Sequence, residues 1–548
     1  MTNKISMKSY SLRKLYSEID RNIFAIPKLQ RDFVWDGKKA AALFDSIYKH
    51  YPIGTILIWK TKRSNQYSLN HQSNVLPPFD DIHNSHVNFI IDGQQRLSVI
   101  YRISKGDIIE NSKRKKIDFS NVVFSLGNKP DIYVKYLTRY NIDEYASVSD
   151  ILSSNWRSTF KNYPIYKIKR IKKFRDKVLS YQLYFTSMEG YIKNDVRESF
   201  IRINSLGTSL TAADKAFTLA SSFNFKHFIK DLINQLNQNF ISLNPEVFLR
   251  TIVLINGFKQ FGQNEIQKYS SQIDKSTTKQ KQFKTDWNTL KHSFGKAIEY
   301  LQKNFFVISK ELLPSENLIP ILSSFFFYNK NSQPNKFQQS QIKKWFWYTS
   351  IGKRYSGQGY SSNILKDFEF MKKLAKQKSR PIYYIQEKLS RSLIRNTDYS
   401  VKSSTTSAFF CMLLKNKPRY LENFQPILLS DHSTILSRKN RHHIFPRQHL
   451  IDKGFSKTSY NSLTNICYLP QDENIKIGKK PPYKYLAEYK TKKRFNNFAN
   501  SHLIPYAANS GIWEVNTKKG FRLFQQKRLA LIVKEIEKFA GANIFEKE

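Results

Sequence analysis

The stretch IIDGQQRLSVIYRIS, residues 90–104, predicts a strand, a tight turn and a helix in direct succession. The apolar strand ends at Asp92, and Gly93 permits a sharp change of direction that a larger residue would oppose. The helix that follows has an apolar face at helical spacing, formed by Leu97, Ile100, Tyr101 and Ile103. Such a junction needs a sheet packed against helices, so the amino-terminal part is predicted to be α/β or α+β.

Other segments of the first 220 residues fit the same pattern. GTILIWK (residues 54–60) and HVNFIID (residues 86–92) are typical of strands. A helix is predicted between these parts and the amino terminus, with Asp36 as its cap. Its buried face is predicted to be Leu43, Phe44, Ile47 and Tyr51.

The chain has 548 residues, which is too many for a single core. We predict an α+β multidomain protein in three parts: an α/β domain at residues 1–220, a helical middle region at residues 221–405, and a carboxy-terminal domain at residues 406–548. The last part is expected to hold a basic strand pair within helices, and it ends in an amphipathic helix, FRLFQQKRLALIVKEIEKFA. No motif with recognisable chemistry occurs in the middle region, so a role in connecting the two outer parts is a hypothesis by elimination.

Charge is the strongest compositional signal, with 90 Lys and Arg against 43 Asp and Glu and a net charge of +47. An excess of this size favours a polyanionic partner, because neutralising phosphates releases condensed counterions. A compositional bias toward Lys and Asn is the alternative, but it does not account for the shortage of acids. Nucleic acid is therefore the expected partner.

The sequence indicates a soluble protein of the cytoplasm. Its first residues, MTNKISMKSYSLRKLY, lack the apolar core of a signal peptide. The most apolar segment, LIPILSSFFFY (residues 318–328), is too short to span a bilayer, so no membrane partner is expected. Two cysteines without a CxxC pair predict neither a disulfide framework nor a structural zinc site.

The turn after residue 92 is a candidate anion site. A helix amino terminus offers unpaired N–H groups and a positive dipole end, which together suit a phosphate. Arg96, one turn into the helix, can supply a bidentate fork to the same anion, and Asp92 can hold a divalent metal or orient water. The alternative is a structural turn in which Arg96 pairs with an internal acid. The residues alone leave both readings open.

Two further pieces are weak signals by themselves. In IPKLQRDFVW (residues 26–35), Gln30 and Arg31 follow a strand end. In FIRINSLGTSLTAAD (residues 200–214), Arg202 and Asn204 precede a turn, and TAAD then predicts a capping box for the next helix. Either piece is as well explained by a structural turn.

The pair His442–His443 opens RHHIFPRQHL and is the second candidate site. Phosphodiester hydrolysis needs a water deprotonated near neutral pH, and imidazole titrates in that range. We predict His443 as the general base. Adjacent residues of a strand point to opposite faces, so both histidines can serve one site only if the strand bends, which Pro446 favours. A pair of surface histidines is the alternative.

Downstream asparagines make the surface alternative less favoured. NICYLP predicts a short strand with Asn465, and Asn474 follows on the next element, which is the layout of a ββα-metal finger. We predict that His442 and Asn474 bind the metal, with water and phosphate as further ligands, as suits Mg²⁺. So weakly charged a site leaves Mn²⁺ and Ni²⁺ open. Asn465 is predicted to hold the loop and orient His443 through its amide, with Asn461 as its competitor for this role.

Four basic residues near this motif are predicted to contact the DNA backbone: Arg441, Arg447, Lys479 and Lys480.

Together and in this order, the three amino-terminal pieces resemble the amino-terminal domain of GmrSD-type restriction proteins. That domain is ParB-like and carries the signature Asp-Gly-Gln-Gln-Arg, which is intact at residues 92–96, although Ser98 stands where the family usually has Thr. The resemblance implies nucleotide binding and hydrolysis, with Asp92 and Arg96 in catalysis. The implied nucleotide site comprises Gln30, Arg31, Asp92, Gly93, Gln94, Gln95, Arg96, Arg202 and Asn204. No residue separates GTP, ATP and UTP.

The carboxy-terminal motif is similar to an HNH nuclease motif, as in the second half of the same proteins. The two resemblances imply a fused, single-chain type IV restriction endonuclease. It would sense foreign DNA, expected to be modified phage DNA, couple this to nucleotide hydrolysis, and cut or nick with the HNH domain. One HNH site breaks one strand per visit, so a double-strand break needs two visits or two copies, as in a homodimer.

Two other functions compete with this one. A ParB-like DNA-binding regulator would use nucleotide to control binding and would have an inactive carboxy-terminal domain. A toxin nuclease would act on RNA or on host DNA, and composition does not exclude it because a basic surface meets the same phosphates in each.

Overall fold

The computed structural model describes residues 3–27, 33–62, 76–77, 86–111, 115–127, 131–206, 211–220, 222–236, 243–357, 359–376, 380–427 and 441–547. Over these ranges the protein is a mixed α+β molecule, with a sheet in the amino-terminal region and mainly helices after it. The chain forms two compact units: Met1–Phe228 with Ile266–Gln280, and Ile229–Glu265 with Lys281–Glu548.

The described residues of the first unit form ten strands. They are β1 Lys4–Ser11, β2 Phe24–Ala25, β3 Ile56–Lys62, β4 His86–Asp92, β5 Ile108–Glu110, β6 Lys116–Asp118, β7 Val122–Ser125, β8 Val134–Tyr136, β9 Tyr145–Ser147 and β10 Gln182–Glu189. Five of them form a mixed sheet in the order β1-β10-β3-β4-β2. The β1–β10 and β3–β4 pairs are antiparallel, whereas β10–β3 and β4–β2 are parallel.

The helices of the first part of the chain are interspersed with these strands. They are α1 Leu12–Asp20, α2 Gly37–Tyr48, α3 Gln94–Lys105, α4 Val148–Leu152, α5 Trp156–Thr159, α6 Ile165–Ser180, α7 Lys193–Leu206 and α8 Ala212–Leu219. Side chains of β4 alternate between two cores, as a pleated strand requires. Ile90 joins the core on one face of the sheet, and Phe89 and Ile91 join the core on the other.

Local predictions for this unit are largely confirmed. Asp36 caps α2 by accepting a hydrogen bond from the Lys39 amide, and the predicted capping box of α8 is present. Tyr51 was wrongly predicted to share the buried face of α2. The helix ends at Tyr48, so Tyr51 lies beyond it and is 58% exposed.

The chain continues through helices to a short hairpin and a last long helix. The middle helices are α9 Phe225–Gln235, α10 Glu246–Ile255, α11 Gln263–Lys275, α12 Thr277–Phe305, α13 Leu318–Tyr328, α14 Lys336–Ile351, α15 Tyr360–Lys376, α16 Ser392–Arg395 and α17 Ser404–Lys415. The final elements are β11 Arg441–His443, α18 Arg447–Asp452, α19 Lys457–Tyr460, β12 Ile466–Tyr468, α20 Gln471–Ile477, α21 Pro482–Tyr485, α22 Ala487–Lys490, α23 Phe495–Ser501 and α24 Thr517–Ala540.

Helices from the predicted middle region and the final helix pack together in the second unit. α14 contacts both α17 and α24, and the rings of Trp347 and Phe539 stack with centroids 5.7 Å apart. β11 and β12 form an antiparallel pair, and α20 follows directly. Ile444 and Phe445, next to the histidine pair, are buried in the core beside this hairpin. These two buried side chains therefore anchor the hairpin to this core.

Within the described ranges, every helix is too short or too polar to cross a bilayer.

Candidate active site

The two histidines of β11 contact different asparagines. His442 Nδ1 lies 2.5 Å from the side-chain oxygen of Asn474, on α20. His443 Nε2 lies 3.1 Å from the side-chain oxygen of Asn461. The alternation along a strand thus gives each imidazole its own carboxamide.

His442 is suited to act as a neutral ligand. Its side chain is buried, and burial lowers the pKa of His442 to about 3, an effect to which the neighbouring His443 adds. The imidazole is therefore uncharged at neutral pH and keeps a lone pair. Its Nε2 atom is buried and has no hydrogen-bond partner among the described residues. The nitrogen next to Asn474 is Nδ1, so the lone pair that could bind a further group is on the orphaned Nε2.

His443 sits in a polar chain of three residues. Asn461 Oδ1 can only accept a hydrogen bond, so His443 Nε2 carries the proton. The Asn461 amide nitrogen donates to Asp398 Oδ2 at 3.2 Å. Burial lowers the pKa of His443, and the hydrogen bond to Asn461 opposes this effect. Because the pKa is lowered, the ring is neutral at neutral pH and Nδ1 is available as a base.

Asn465 holds the loop, as predicted, but it does so through backbone groups. Its side chain accepts from the Phe445 amide at 2.9 Å and donates to the carbonyls of Phe445 and Tyr460 at 3.1 and 3.0 Å. The side chain in contact with His443 is that of Asn461, the competitor. The predicted Asn465–His443 bond is corrected on this point, because three backbone bonds already occupy the Asn465 carboxamide.

Aromatic and basic residues surround His443. The Tyr399 ring meets the imidazole edge-on, with centroids 5.2 Å apart and planes at 87°. Arg447 is exposed, and its charge contributes to the lowered pKa of His443. Arg441 lies over the Phe410 ring, with 4.2 Å between its guanidinium carbon and the ring centre.

Lys479 and Lys480, also predicted to contact DNA, are exposed just after α20. The turn and short helices that follow continue this basic character. Residues 476–494 contain eight exposed basic residues and one acid: Lys476, Lys479, Lys480, Lys484, Lys490, Lys492, Lys493 and Arg494, with Glu488.

A cation at His442 and Asn474 would have few protein ligands. No group of three or more His, Cys, Asp or Glu residues in the described part of the chain is arranged to hold a metal. His442 Nδ1 and Asn474 Oδ1 face each other at hydrogen-bond distance, so a cation bound by both atoms would replace that hydrogen bond.

The amino-terminal turn has the predicted shape. β4 ends at Asp92, Gly93 has a φ of 88°, and α3 begins at Gln94. A Cβ atom on Gly93 would lie 2.3 Å from the Ile56 side chain, so both the left-handed backbone and the space require glycine.

Arg96 is bound within the protein. Its guanidinium donates to the carbonyls of Ile53 and Thr55 at 2.5 and 3.0 Å and pairs with Asp92 at 3.1 Å. This arrangement matches the structural alternative described above, and it braces the turn around Gly54.

Gln94 and Gln95 differ in their surroundings. Gln95 accepts a hydrogen bond from the Val34 amide at 2.9 Å. Gln94 is 3% exposed, and both polar atoms of its amide have no hydrogen-bond partner in the described ranges. The Ser98 hydroxyl, one turn along α3, is buried in the same state. Such groups normally have partners, so this helix face fits an additional polar ligand.

The other predicted nucleotide residues are not brought to this turn by any described contact. Arg202 lies on α7, exposed, and pairs with Glu198. The side chain of Asn204 lies outside the described residues, as do Gln30 and Arg31.

Sequence reasoning missed Asp398 and Tyr399. Both lie in the predicted middle region, far along the chain from the histidine pair. NTDYS has no spacing or composition that points to a site. Only the three-dimensional contact with Asn461 and His443 reveals these residues.

Comparison with known proteins agrees with the amino-terminal resemblance. Residues 12–220 match the family model described as GmrSD restriction endonuclease, N-terminal domain. The chain is also 24% identical, over 542 residues, to Uncharacterized protein MJ0686 of Methanocaldococcus jannaschii, covering 88% of this chain and 87% of that protein. The family match covers the amino-terminal part of the chain, and it includes the Asp-Gly-Gln-Gln-Arg signature at residues 92–96.

Proposed function

We propose that this protein is a DNA endonuclease of an anti-phage restriction system, in which an HNH-type site at β11, β12 and α20 breaks the phosphodiester bond. The observation that carries the proposal is the pairing of His443 with Asn461 beside the buried His442–Asn474 pair. The ParB-like amino-terminal domain would hydrolyse a nucleoside triphosphate while it senses foreign, modified DNA.

In this proposal His443 is the general base. Its Nε2–H is engaged by Asn461, which leaves the Nδ1 lone pair to take a proton from the attacking water. The lowered pKa of His443 keeps the base form present at neutral pH. Arg447 is close enough to influence that pKa and is exposed, so it can contact the same phosphate.

His442 and Asn474 would hold a divalent cation. A neutral imidazole and a carboxamide oxygen form a weakly charged pair that suits Mg²⁺ or Mn²⁺ with water and phosphate as the remaining ligands. The cation would supply positive charge beside the scissile phosphate.

DNA would bind along the exposed basic run at residues 476–494. This run begins immediately after Asn474, so a backbone bound there passes near the proposed cation pair. Lys479 and Lys480 are its nearest exposed members that have no ion-pair partner in the described ranges. Contacts of this kind position a duplex without reading its sequence.

Nucleotide hydrolysis would take place at the start of α3. The helix amino terminus and the orphaned amide of Gln94 support a phosphate-bearing ligand there. Because Arg96 is engaged in three internal contacts, we assign it a positioning role toward Asp92 in this proposal.

A cleavage assay tests the nuclease. Wild-type protein and His443→Ala are compared on unmodified, glucosylated and phosphorothioate DNA, with and without Mg²⁺, Mn²⁺ and nucleotides. Wild type is expected to cut at least one DNA, and His443→Ala to lose the activity. His292→Ala, at an exposed histidine of α12, is the matched control. Equal cutting by His443→Ala would remove the base assignment.

Phosphate release tests the amino-terminal site separately. Gln94→Ala and Asp92→Ala are expected to lower release from the preferred nucleoside triphosphate, with Glu198→Ala as an exposed control in the same unit. Unchanged release from GTP, ATP and UTP in both variants would contradict the assignment. The family match does not favour the two alternatives, a ParB-like regulator and a toxin nuclease that acts on RNA or host DNA. An RNA substrate in the cleavage assay tests the toxin alternative.

A further inference from the structure

A short segment ahead of α17 is fixed against the loop that carries Asn461. Asp398 forms an isolated antiparallel bridge with Ser462, and the Tyr399 amide donates to the Asn461 carbonyl at 3.1 Å. The Leu463 amide donates to the Thr397 carbonyl at 3.3 Å. Backbone bonds on both sides of Asp398 therefore fix its position relative to Asn461.

The direction of each hydrogen bond in the chain Asp398–Asn461–His443 is determined by chemistry. A carboxylate only accepts, so the Asn461 nitrogen must face Asp398 and its oxygen must face His443. That oxygen also only accepts, so His443 holds its proton on Nε2. Replacing the carboxylate would let the amide turn over and would remove this constraint on the imidazole.

We propose that Asp398 is a positioning residue for His443: it acts through Asn461 to fix the orientation of the imidazole and its Nε2–H tautomer. This inference rests on the proposed nuclease function, and it adds a residue from outside the nuclease motif. Asp398 does not touch substrate in this scheme.

The surroundings of Asp398 keep it charged. Its second oxygen accepts from the Ser400 amide at 2.8 Å and from the Ser400 hydroxyl at 2.7 Å. Although partial burial opposes the charge, the hydrogen bonds from Ser400 and Asn461 hold the pKa of Asp398 below its ordinary value. A negative charge is therefore present two hydrogen bonds from the imidazole.

Steady-state kinetics on the full chain provide the first test. Asp398→Ala and Asn461→Ala are each expected to lower kcat by roughly tenfold to a hundredfold, a typical loss for a residue that orients a functional imidazole, with KM for DNA nearly unchanged. The double variant should lose no more than the larger single loss, because both residues act through one chain. Asp452→Ala, at an exposed carboxylate of α18, is the matched control and should retain wild-type activity.

Three outcomes would overturn the inference: a rise in KM with kcat unchanged, multiplicative losses in the double variant, or full activity in Asp398→Ala. Asp398→Asn addresses the charge, since it keeps the size of the side chain. It should recover part of the kcat lost in Asp398→Ala, and a kcat equal to wild type would exclude a role for the negative charge. Thermal melting of each variant separates loss of the fold from loss of positioning.

A second readout is independent of cleavage. In protein with nitrogen-15 histidine, the His443 signals are identified by their loss in His443→Gln. Wild type should show the Nε2–H tautomer, and Asp398→Ala should show a mixture of tautomers. An unchanged tautomer would refute the positioning role even if the protein cuts nothing. Conversely, a tautomer shift in Asp398→Ala, together with no cleavage by wild type, would support the positioning role of Asp398 and contradict the proposed nuclease function.

Discussion

Asn465 uses its whole side chain to hold backbone. The residue is fully buried, and its carboxamide satisfies the amide and carbonyl of Phe445 together with the carbonyl of Tyr460. The bonds fix the chain immediately after the histidine pair. Asn465 therefore contributes to the site by fixing the chain after β11 relative to the end of α19.

We expect Asn465→Ala to lower the thermal melting temperature and activity together. Each buried backbone group left unpaired costs roughly 1–3 kcal/mol. Differential scanning calorimetry measures the loss, and Asn497→Ala, at an exposed asparagine of α23, is the control. A variant with normal melting but no activity would mean that Asn465 acts directly in the chemistry.

His502 predicts acid sensitivity. Burial lowers the pKa of His502 to about 4, opposed by its hydrogen bond to the Arg419 carbonyl, whereas a histidine in an unfolded chain titrates near 6.5. Between these values the unfolded chain binds more protons, so stability falls as the pH drops from about 6.5 toward 4 and is unaffected by this group above 6.5. The full effect is on the order of 3 kcal/mol.

We expect His502→Gln, which can still donate to the carbonyl, to flatten the fall in melting temperature between pH 6.5 and 4.5. Melting curves of the two proteins across this range measure the difference. Parallel pH profiles for variant and wild type would contradict the buried neutral state of His502.

For single residues, the sequence indicated which side chains to consider for the site, but it did not indicate which of them are in contact. His442, His443, Asn465 and Asn474 were predicted from their order along the chain, and the structure brings His442 and Asn474 together. The partner of His443 was misjudged because Asn461 and Asn465 are four residues apart, and spacing cannot separate them. Asp398 gave no signal, since its contact depends on how a distant segment packs.

α24, the final helix, reaches the site through a buried arginine. Arg528 is fully buried and donates to five backbone carbonyls: Leu463, Thr464, Ile466, His502 and Leu503. Burial lowers the pKa of Arg528 to about 10, so it stays charged at neutral pH. Its partners lie on the loop before β12, on β12 itself and at the end of α23. The helix thus fixes the second strand of the hairpin.

Arg528→Met should lower stability by roughly 3 kcal/mol or more, because hydrogen bonds from a charged donor are strong and the carbonyls would be left buried. Met is nearly as large as Arg, so lost packing contributes little. Lys527→Met, one residue earlier and exposed, is the control. Urea unfolding followed by fluorescence compares them, and equal midpoints would contradict the role of the guanidinium.

Elements with a strong local pattern were predicted well. The strand His86–Asp92, the turn at Gly93 and the final helix follow from apolar periodicity and turn chemistry, and all are present. No local pattern indicated that Arg528 would be buried, because an arginine on a helix is normally solvated. Its position depends on five carbonyls from separate segments.

The first compact unit is completed by a segment from later in the chain. Asp274, on α11, pairs with Arg197 at 3.1 Å, and both side chains are nearly buried. The same carboxylate accepts from the amides of Ser222 and Phe223. α11 therefore ties together α7 and the chain after α8.

Asp274→Ala is expected to weaken this unit by roughly 3–5 kcal/mol, the range seen when a buried charge loses its partner. Hydrogen exchange should increase at Ser222, at Phe223 and along α7. Glu198→Ala, which removes an exposed ion pair of α7, is the control. Unchanged exchange in Asp274→Ala would show that α11 is dispensable for the unit.

The sequence predicted the mixed α+β class of the molecule, whereas the division into three parts stays a prediction. The basic excess and the alternation of elements predicted a nucleic-acid-binding α+β protein, and the structure confirms the α+β class. The boundaries at 220 and 405 remain predictions. The first unit takes residues 266–280 from the stretch assigned to the middle region, which no local pattern could reveal.

Because residues 266–280 belong to the first unit, the order of synthesis affects how this unit is completed. A ribosome releases the first 228 residues well before Ile266–Gln280, so the nascent amino-terminal unit waits without its last helix while residues 229–265 emerge. During that interval the Arg197 side chain lacks the carboxylate of Asp274, so the amino-terminal unit can complete its packing only after residues 266–280 have emerged.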